Sequence, residues 1–464
     1  MVMASTAVEL DISTLETRFR GELIRSDDSR YDELRSIYNA SIDRRPTLIA
    51  RAVDEADVMA AVDFARESGA ELAIRCGGHN VAGFSAVDDG IVLDLRSMKG
   101  IRVDPDARVV TVQGGCTWGD VDHATHPFGL AVPGGVVSTT GVGGLTLGGG
   151  LGHLTRSCGL SIDNLVSADV VLADGSFATA SKDENEDLFW ALRGGGGNFG
   201  VVTSFTFRAH PAHTHIAGPT LWPIEQAGEA MEAYRDLMAG APERLTGVFA
   251  FLVAPPGPPF PEELHLKNMC GIVWCHRGNE EEAAEDLADV RSSLPPAFDL
   301  VGPIPHPMLN SMFDGLAFAG LYNYWRADFF AELSDDAIPA FIEHGSKVPN
   351  IFSALHLYPI DGVASDVRPD ETAWSYRDAK WAEVIFAADT DPANSDVNRN
   401  WVVDYWSAVH PYSAGGGYVN FMEDEGQDRV RTAYRDNYGR LAEIKRRYDP
   451  DNFFHLNQNI RPAE

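Results

Sequence analysis

Hydrophobic and polar positions change their spacing along the chain, and this spacing predicts a mixture of helices and short strands. Residues 1–45 are polar with helical spacing, whereas the run TLIARAV from Thr47 is typical of a strand. Residues 54–69 repeat apolar positions at helical intervals behind Asp54, whose carboxylate suits a helix N-cap. The runs ELAIR, GIVLDL and RVVTVQ then predict strands separated by Gly and Asp turns.

The pattern changes again further along. Residues 168–181 predict a β-hairpin, and residues 184–207 predict a helix, a glycine loop and a strand in that order. From His210 to about Ser413, strands alternate with amphipathic helices and many prolines. Glycines return at Gly415, before a charged helix predicted over 428–448. The simplest account is a chain that leaves its first domain and later returns to it.

Composition narrows the classes of function. The 464 residues carry 37 basic and 68 acidic side chains, a formal net charge of −31, which disfavours nucleic acid as a partner. A 44% share of hydrophobic residues excludes a disordered chain. No apolar run of about 18 residues indicates a membrane span, and the first thirty residues contain no apolar signal-peptide core. We therefore expect a cytoplasmic protein that binds neither nucleic acid nor membrane.

Cysteine and histidine patterns do not indicate a disulfide framework or a metal site. The five cysteines are too few and too scattered for such a framework, and Cys270 and Cys275 fall on opposite faces of a predicted strand. His210, His213 and His215 lie beside prolines at a predicted domain junction. We predict no metal site.

Glycine is the most informative residue type. Half of the 44 glycines lie in five short segments, 77–83, 114–115, 134–152, 194–200 and 415–417. Gly195–Gly200 matches G-x-G-x-x-G, but a helix precedes this loop and a strand follows it, which is the reverse of the Rossmann order. Each glycine alone is explained by a turn or a bulge. Together, loops of bare N–H groups beside β-rich segments indicate an extended dinucleotide of the size of FAD.

Five motifs occur together and carry a family resemblance. They are Arg75-Cys-Gly-Gly-His79-Asn80, Gly141-Val-Gly-Gly144, Gly148-Gly-Gly-Leu-Gly152, the run from Asp187 to Gly200, and Tyr448-Asp-Pro-Asp-Asn-Phe-Phe. With these motifs the chain resembles the vanillyl-alcohol-oxidase type of FAD protein, and within it the berberine-bridge-enzyme-like branch. The resemblance implies an α+β fold with a two-subdomain FAD-binding domain, formed by residues 1–212 and 414–464. It also implies a substrate domain over 213–413, an antiparallel sheet backed by helices.

The resemblance also implies how FAD is held. The motif histidine of the family carries an 8α-histidyl bond to the flavin, and His79 occupies its position. The second link of many members uses the cysteine of C-P-x-x-G-x-G-G, where this chain has Val137. We interpret Cys158 as a packing residue, so FAD is expected to be covalently bound through His79 only. The implied cofactor-binding residues are Arg75, Gly77, Gly78, His79, Asn80, Gly83, Thr140, Gly141, Gly143, Gly144, Gly148, Gly149, Gly152, Val202, Tyr418, Asn420 and Asn457.

The implied reaction centre is the segment Gly415–Phe421, which we predict to be a short strand. Its period of two places Tyr418 and Asn420 on one face. By resemblance Tyr418 is either a general base or a residue that packs on the ring. Thr140, in the loop expected to face the flavin, either shapes an oxygen pocket or is structural. The predicted strands SALHLYPI and YRDAKWAEVIFAAD offer other candidates that are either catalytic or structural, namely His356, Tyr358, Tyr376, Arg377, Asp378 and Glu383.

The leading hypothesis for function is an oxidase. A substrate C–H would give hydride to FAD, and O₂ would reoxidise the flavin with release of hydrogen peroxide. The alternatives are a flavin-dependent dehydrogenase, an oxygenating enzyme of secondary metabolism, and a flavin-binding protein without activity. The substrate is a small molecule of the alcohol, sugar or natural-product class, and the protein is expected to be a monomer or a homodimer. Aromatic residues of the central region (Trp274, Phe313, Phe318, Tyr322, Tyr324 and Trp325) either line an apolar cavity or fill a core.

Overall fold

The first sheet of the computed structural model, which describes residues 10–464, is built from short buried strands. Its strands are β1 (Glu22–Ile24), β2 (Leu48–Arg51), β3 (Leu72–Arg75) and β4 (Ile91–Asp94), in the order β1-β2-β4-β3. Strands β2, β3 and β4 run parallel and are nearly continuous apolar sequences because helix α3 (Glu55–Ser68) covers them. The predicted cap is confirmed, since the Asp54 carboxylate accepts a hydrogen bond from the Asp57 N–H at 3.0 Å.

The second sheet is antiparallel. Its strands are β5 (Ile101–Asp104), β6 (Val109–Gln113), β8 (Leu165–Val171), β9 (Phe177–Ser181) and β10 (Val201–Arg208), in the order β5-β6-β10-β8-β9. Strands β8 and β9 form the predicted hairpin. A two-stranded ladder joins β7 (Leu130–Ala131) to β11 (His210–Pro211). Helix α7 (Glu186–Leu192) precedes the glycine loop at 194–200 and β10 follows it, which confirms the order that excluded a Rossmann site.

The third sheet is antiparallel and lies wholly between residues 214 and 389. Its strands are β12 (Thr214–Pro223), β13 (Leu245–Val253), β14 (Asn268–His276), β15 (Phe298–Asp299), β16 (Gly302–Pro305), β17 (Tyr322–Phe330), β18 (Ala354–Pro359) and β19 (Trp381–Asp389). The order is β15-β12-β14-β13-β18-β19-β17, and β16 also pairs with β12.

Alternation along these strands gives the third sheet two different faces. On one face, residues such as Phe249, Phe251 and Leu355 pack against α8 (Ala227–Gly240), α12 (Ile338–Gly345) and α14 (Ser395–Val409). The other face, which includes Val248 and Ala250, points towards the glycine-rich part of the molecule. The α+β class, with an antiparallel sheet backed by helices, is therefore confirmed.

The remaining helices are mostly short. They are α1 (Ser13–Glu16), α2 (Tyr31–Arg35), α4 (Trp118–Thr125), α5 (Val142–Leu147), α6 (Thr155–Cys158), α9 (Glu280–Asp286), α10 (Ala288–Ser293), α11 (His306–Asn310), α13 (Val363–Asp366), α15 (Gln427–Tyr434) and α16 (Asn437–Tyr448). Across residues 10–464 no helix has the length and apolar character needed to cross a membrane.

Two helix predictions were wrong. The helical prediction for 1–45 includes residues 1–9, which lie outside the described part. In residues 10–45 the only α-helices are the short α1 and α2. Residues 22–24 form a strand instead because they pair with the edge of β2, which outweighs local helical spacing. The predicted helix over 428–448 is divided into α15 and α16 at Arg435, whose φ of 46° is incompatible with a continuous helix.

The C-terminal segment packs back onto the N-terminal glycine loops. Lys445 is completely buried, and its ammonium group donates to the Asn198 carbonyl at 2.7 Å and to the Phe454 carbonyl at 2.9 Å. The Asp449 carboxylate completes this arrangement by pairing with Lys445 and accepting the Phe453 N–H at 2.7 Å. Contacts between residues about 250 positions apart thus bring the two ends together. The exact boundaries at 212/213 and 413/414 stay predictions.

Candidate active site

A cavity of about 540 Å³ lies between the glycine loops and the inner face of the third sheet. Most of the implied cofactor-binding residues line it. They are Gly77, Gly78, His79, Asn80, Thr140, Gly141, Gly143, Gly144, Val202, Tyr418, Asn420 and Asn457. The structure therefore brings together in space residues from five separate parts of the sequence.

Two glycine loops approach each other so closely that side chains would collide. A Cβ atom added to Gly77 would lie 2.3 Å from the Gly141 nitrogen, and one added to Gly141 would lie 2.3 Å from the Gly77 nitrogen. A Cβ on Gly143 would lie 2.7 Å from Sγ of Cys76. Glycine at these positions allows the loop that carries His79 to pack directly against the start of α5.

His79 lies on this cavity with one ring nitrogen engaged. Its ring stacks on Tyr38, with centroids 4.3 Å apart and an interplanar angle of 19°. Its Nε2 atom is 3.0 Å from Oγ1 of Thr139, and Nδ1 has no hydrogen-bond partner among residues 10–464. Burial lowers the pKa of His79 to about 4, so the imidazole is neutral at neutral pH.

Tyr418 and Asn420 also meet at the cavity, but the strand predicted for them was wrong. Val419–Phe421 forms a 3₁₀ turn that begins after Tyr418. The Tyr418 hydroxyl accepts the Gly150 N–H at 2.8 Å and the Asn420 amide N–H at 2.6 Å, and the same amide donates to the Leu145 carbonyl at 2.9 Å. These bonds to the 145–150 segment replace the ladder hydrogen bonds that a strand would have made. Burial raises the pKa of Tyr418 to about 12.

Five of the implied cofactor-binding residues lie outside the cavity lining. A Cβ on Gly148 would lie 2.2 Å from Oδ1 of Asn420, and one on Gly149 would lie 3.2 Å from the Tyr418 ring. A Cβ on Gly152 would lie 2.1 Å from the Gly134 carbonyl oxygen, and Gly83 has a φ of 79° that disfavours any side chain.

The fifth of these residues, Arg75, forms hydrogen bonds to the backbone of the N-terminal segment. Its fully buried guanidinium donates to the carbonyl oxygens of Leu34, Arg35 and Ser85. Burial lowers the pKa of Arg75 to about 10, which still leaves it charged at neutral pH. Arg75 thus holds the loop that precedes His79 rather than contacting the cavity.

Of the candidates on the substrate side, only two line the cavity. His356 and Tyr358 lie on the inner face of β18, with Nδ1 of His356 3.0 Å from the Tyr358 hydroxyl. Glu383 of β19 points to the opposite face, where both carboxylate oxygens are buried without a hydrogen-bond partner among residues 10–464, and burial raises its pKa.

The other three substrate-side candidates make structural contacts away from the cavity. Tyr376 stacks on Phe329, Arg377 pairs with Asp163, and Asp378 pairs with Arg435. Of the six aromatic residues named from the sequence, Phe313 and Trp325 line the cavity, whereas Trp274, Phe318, Tyr322 and Tyr324 do not.

Comparisons with known proteins identify the family. The FAD binding domain family matches residues 46–181, and the family described as berberine and berberine like matches residues 417–461. An FAD-linked oxidoreductase of Dictyostelium discoideum is 32% identical over 433 residues, covering 92% of this chain and 91% of the relative. The chain belongs to the berberine-bridge-enzyme-like FAD-linked oxidoreductases. The enzyme is therefore an FAD-dependent oxidoreductase.

Other family relatives are similar over almost their whole length. The (R)-6-hydroxynicotine oxidase of Paenarthrobacter nicotinovorans is 30% identical over 467 residues, covering 96% of this chain and 97% of the relative. The crystal structure of 6-hydroxy-D-nicotine oxidase from Arthrobacter nicotinovorans matches with a TM-score of 0.86 and 27% identity, covering 96% of this chain and 98% of that one. A glucooligosaccharide oxidase of Acremonium strictum, which carries a 6-S-cysteinyl, 8α-N1-histidyl FAD, has the same fold at 24% identity and a TM-score of 0.84, covering 96% of this chain and 97% of that one.

The cavity of this FAD-linked oxidoreductase suits the cofactor. The Ser85 hydroxyl, the Tyr434 hydroxyl and Oδ1 of Asn457 line it, and each is buried without a hydrogen-bond partner among the described residues. Buried polar atoms are normally paired, so these three indicate a bound molecule that carries both donors and acceptors. The closely packed glycine loops leave room for contacts between this molecule and the protein backbone. An FAD molecule has hydroxyl, phosphate and ring groups of this kind, so the residues present fit it.

Sequence reasoning missed several residues of the oxidoreductase's cavity. Tyr38 belongs to a segment that was predicted to be helical and polar, and no local signal indicates that it stacks on His79. Tyr434, Ser85 and Gln458 also line the cavity. Cys76 does so as well, and its place inside the Arg75–Asn80 motif was a signal that could have found it. Burial raises the pKa of the Cys76 thiol to about 12, so it is protonated at neutral pH.

Proposed function

We propose that the chain is an oxidase of a small organic molecule, with FAD attached through His79 alone. The observation that carries this proposal is one cavity that joins the His79 loop, the Tyr418–Asn420 pair and the inner face of the third sheet. FAD held in this cavity would supply the hydride acceptor for a substrate C–H, and its reoxidation by O₂ would account for the release of hydrogen peroxide. The oxidases among the relatives support this choice over a dehydrogenase.

The contacts of His79 favour covalent attachment at Nδ1. If the Nε2–H of His79 donates to the Thr139 hydroxyl at 3.0 Å, the lone pair of Nδ1 is free to act as a nucleophile. The pKa of about 4 keeps the imidazole unprotonated, which a nucleophile requires. Stacking on Tyr38 holds the ring in one plane. Thr139 and Tyr38 are thus positioning residues for the attachment.

No cysteine occupies the position of a second link, because Val137 lines the cavity there. Cys158 is buried elsewhere, where its sulfur accepts a hydrogen bond from Arg277 at 3.0 Å. Cys76 does line the cavity, so attachment of the flavin through Cys76 has to be tested directly.

The attachment is tested by acid precipitation. We expect the wild-type pellet to stay yellow, the His79→Ala pellet to be colourless, and the pellets of Cys76→Ala and of the exposed-site control His123→Ala to stay yellow. A yellow His79→Ala pellet, or a colourless Cys76→Ala pellet, would refute attachment through His79 alone.

Tyr418, Asn420 and Thr140 have separate proposed roles at the reacting end. Both lone pairs of the Tyr418 oxygen accept hydrogen bonds, so its own proton is available to donate into the cavity. A pKa of about 12 keeps that proton in place at neutral pH, so action as a general base would require a further partner for the phenolate. Asn420 orients the phenol. Thr140 lines the cavity beside the His79 loop and is proposed to shape the space for O₂.

The fate of the electrons is tested by stopped-flow oxidation. The holoenzyme is reduced anaerobically with dithionite, mixed with air-saturated buffer, and followed by flavin absorbance and a peroxide assay. An oxidase reoxidises rapidly with one hydrogen peroxide formed per flavin. Slow reoxidation would refute the oxidase and favour a dehydrogenase, whereas peroxide yields well below one per flavin in the presence of substrate would favour an oxygenating enzyme.

A further inference from the structure

The substrate end of the cavity is formed by one face of the third sheet. Side chains at alternate positions of four strands point into it, namely Val248, Ala250 and Leu252 of β13, Ala354, His356 and Tyr358 of β18, Val384, Phe386 and Ala388 of β19, and Asn323 and Trp325 of β17. Phe313 also lines the cavity, and its ring lies near that of His356, with centroids 5.9 Å apart. This end of the cavity is therefore mainly aliphatic and aromatic.

Charged side chains do not take part in this surface. Among the described residues that line the cavity there is no Asp, Glu, Lys or Arg. At the sheet end, away from the bare N–H groups of the glycine loops that suit the phosphates of FAD, a charged ligand group would lose its hydration without gaining an ion pair. The chemistry of the lining thus favours an uncharged ligand.

Most polar groups on this face already have partners within the protein. The Asn323 amide donates to the Leu321 carbonyl at 2.9 Å, and its oxygen accepts the Trp325 indole N–H at 3.2 Å. The Ser353 hydroxyl donates to Oδ1 of Asn350 at 3.0 Å. A ligand with several hydroxyl groups would leave most of them without a hydrogen-bond partner, and each buried unpaired group weakens binding.

His356 is the exception. Its Nδ1 atom is 3.0 Å from the Tyr358 hydroxyl, while Nε2 has no partner among residues 10–464 and faces the cavity. The ring is held by edge contacts with Phe386 at 5.1 Å and Tyr358 at 5.7 Å between centroids. Burial lowers the pKa of His356 to about 4, so the imidazole adds no charge at neutral pH.

We propose that the sheet end of the cavity binds an uncharged aromatic molecule with a single hydroxyl or carbonyl group, which hydrogen-bonds to Nε2 of His356. Because the Tyr358 hydroxyl can either accept a hydrogen bond from Nδ1 or donate one to it, Nε2 can bind either a hydroxyl or a carbonyl group. When Nδ1–H donates to Tyr358, Nε2 accepts from a hydroxyl group; when Tyr358 donates to Nδ1, Nε2–H donates to a carbonyl group. The identification of this molecule as a substrate rests on the proposed oxidase function, whereas its binding does not.

The test is anaerobic isothermal titration calorimetry of the holoenzyme with matched probes. They are 2-phenylethanol, the 2-phenylethylammonium ion, ethylbenzene and the disaccharide cellobiose. We expect 2-phenylethanol to bind at least tenfold more tightly than the ammonium analogue, and cellobiose to give no binding heat. His356→Phe should weaken the binding of 2-phenylethanol about 3- to 10-fold, because one hydrogen bond is lost, and should leave the affinity for ethylbenzene unchanged. His356→Gln should keep most of the affinity because its amide can replace Nε2.

The controls separate this inference from misfolding and from the proposed function. His123→Phe, on the exposed face of α4, should bind all four probes as the wild type does, and thermal melting should show that the variants remain folded. Equal or tighter binding of the ammonium ion or cellobiose would overturn the inference, as would absent 2-phenylethanol binding or unchanged affinity in His356→Phe. Bound 2-phenylethanol that is never oxidised would support the binding inference and count against the oxidase proposal alone.

Discussion

Tyr418→Phe tests the link between the Tyr418 hydroxyl and the glycine loop behind it. The side chain is 1% exposed, and its oxygen accepts the Gly150 N–H at 2.8 Å and the Asn420 amide at 2.6 Å. Asn420 keeps its bond to the Leu145 carbonyl, but the buried Gly150 N–H loses its acceptor. An unpaired buried donor costs about 1–3 kcal/mol, so we expect the free energy of unfolding to fall by about 2 kcal/mol.

The assay is urea unfolding of the holoenzyme, followed by tryptophan and flavin fluorescence, together with the flavin absorption spectrum. Tyr405→Phe is the matched control, because that buried hydroxyl donates to the Phe341 carbonyl at 2.7 Å outside the cavity. The control should lose about 1 kcal/mol of stability with an unchanged flavin spectrum, whereas Tyr418→Phe should change both. A free energy of unfolding for Tyr418→Phe within about 0.5 kcal/mol of the wild-type value would refute the reasoning.

Three further substitutions test other parts of the structure. Gly148→Ala should displace Asn420, since the new Cβ would lie 2.2 Å from its Oδ1. Flavin attachment, measured as acid-stable flavin per chain, should therefore be slower than in the wild type. The control Gly439→Ala, with no atom within 4 Å of its Cβ, should attach flavin at the wild-type rate. Lys445→Met leaves the buried Asp449 carboxylate unpaired and should cost about 3–5 kcal/mol of unfolding free energy in urea titrations, so a loss below 1 kcal/mol would contradict it. Glu423→Gln should flatten the pH dependence of stability, because burial raises the pKa of Glu423 to about 7 from its ordinary 4.5.

The sign of the Glu423 effect follows from proton binding. Between pH 4.5 and about 7 the unfolded chain releases the Glu423 proton and the folded chain keeps it, so stability falls as pH rises through this window. The full difference is about 3 kcal/mol, at about 1.4 kcal/mol for each pH unit. Melting temperatures at pH 5 and pH 8 measure it, and an equal fall in the wild type and in Glu423→Gln would contradict this assignment. The exposed Glu443→Gln is the control and should melt as the wild type does at both pH values.

Local signals predicted much of the fold. The Asp54 cap, the hairpin of β8 and β9, and the helix-loop-strand order around residues 194–200 follow from spacing and turn residues within about 20 positions, and all are present. Local signals failed where distant contacts decide the conformation. Residues 22–24 became a strand through pairing with β2, and Val419–Phe421 became a turn through bonds to residues 145–150.

The candidate site shows the same division. The predicted strands offered His356, Tyr358 and Glu383 as candidates, and the spacing of two between His356 and Tyr358 is that of residues on one face of a strand. It could not indicate which face meets the cavity. Pairing of β18 with β19, and the packing of α14 on the outer face, turn Glu383 away from the cavity and His356 towards it.

From the sequence by itself came the family, the FAD cofactor and the α+β architecture, through the resemblance that the five motifs carry; these motifs lie in short runs of neighbouring residues and are therefore visible without a structure. Only the tertiary structure decided which of those residues meet. The approach of Gly77 to Gly141 and the stacking of Tyr38 on His79 depend on contacts between separate segments of the chain, and so does the position of His356 at the cavity. Such contacts depend on how complete faces pack, and that information is not present in any single stretch of sequence.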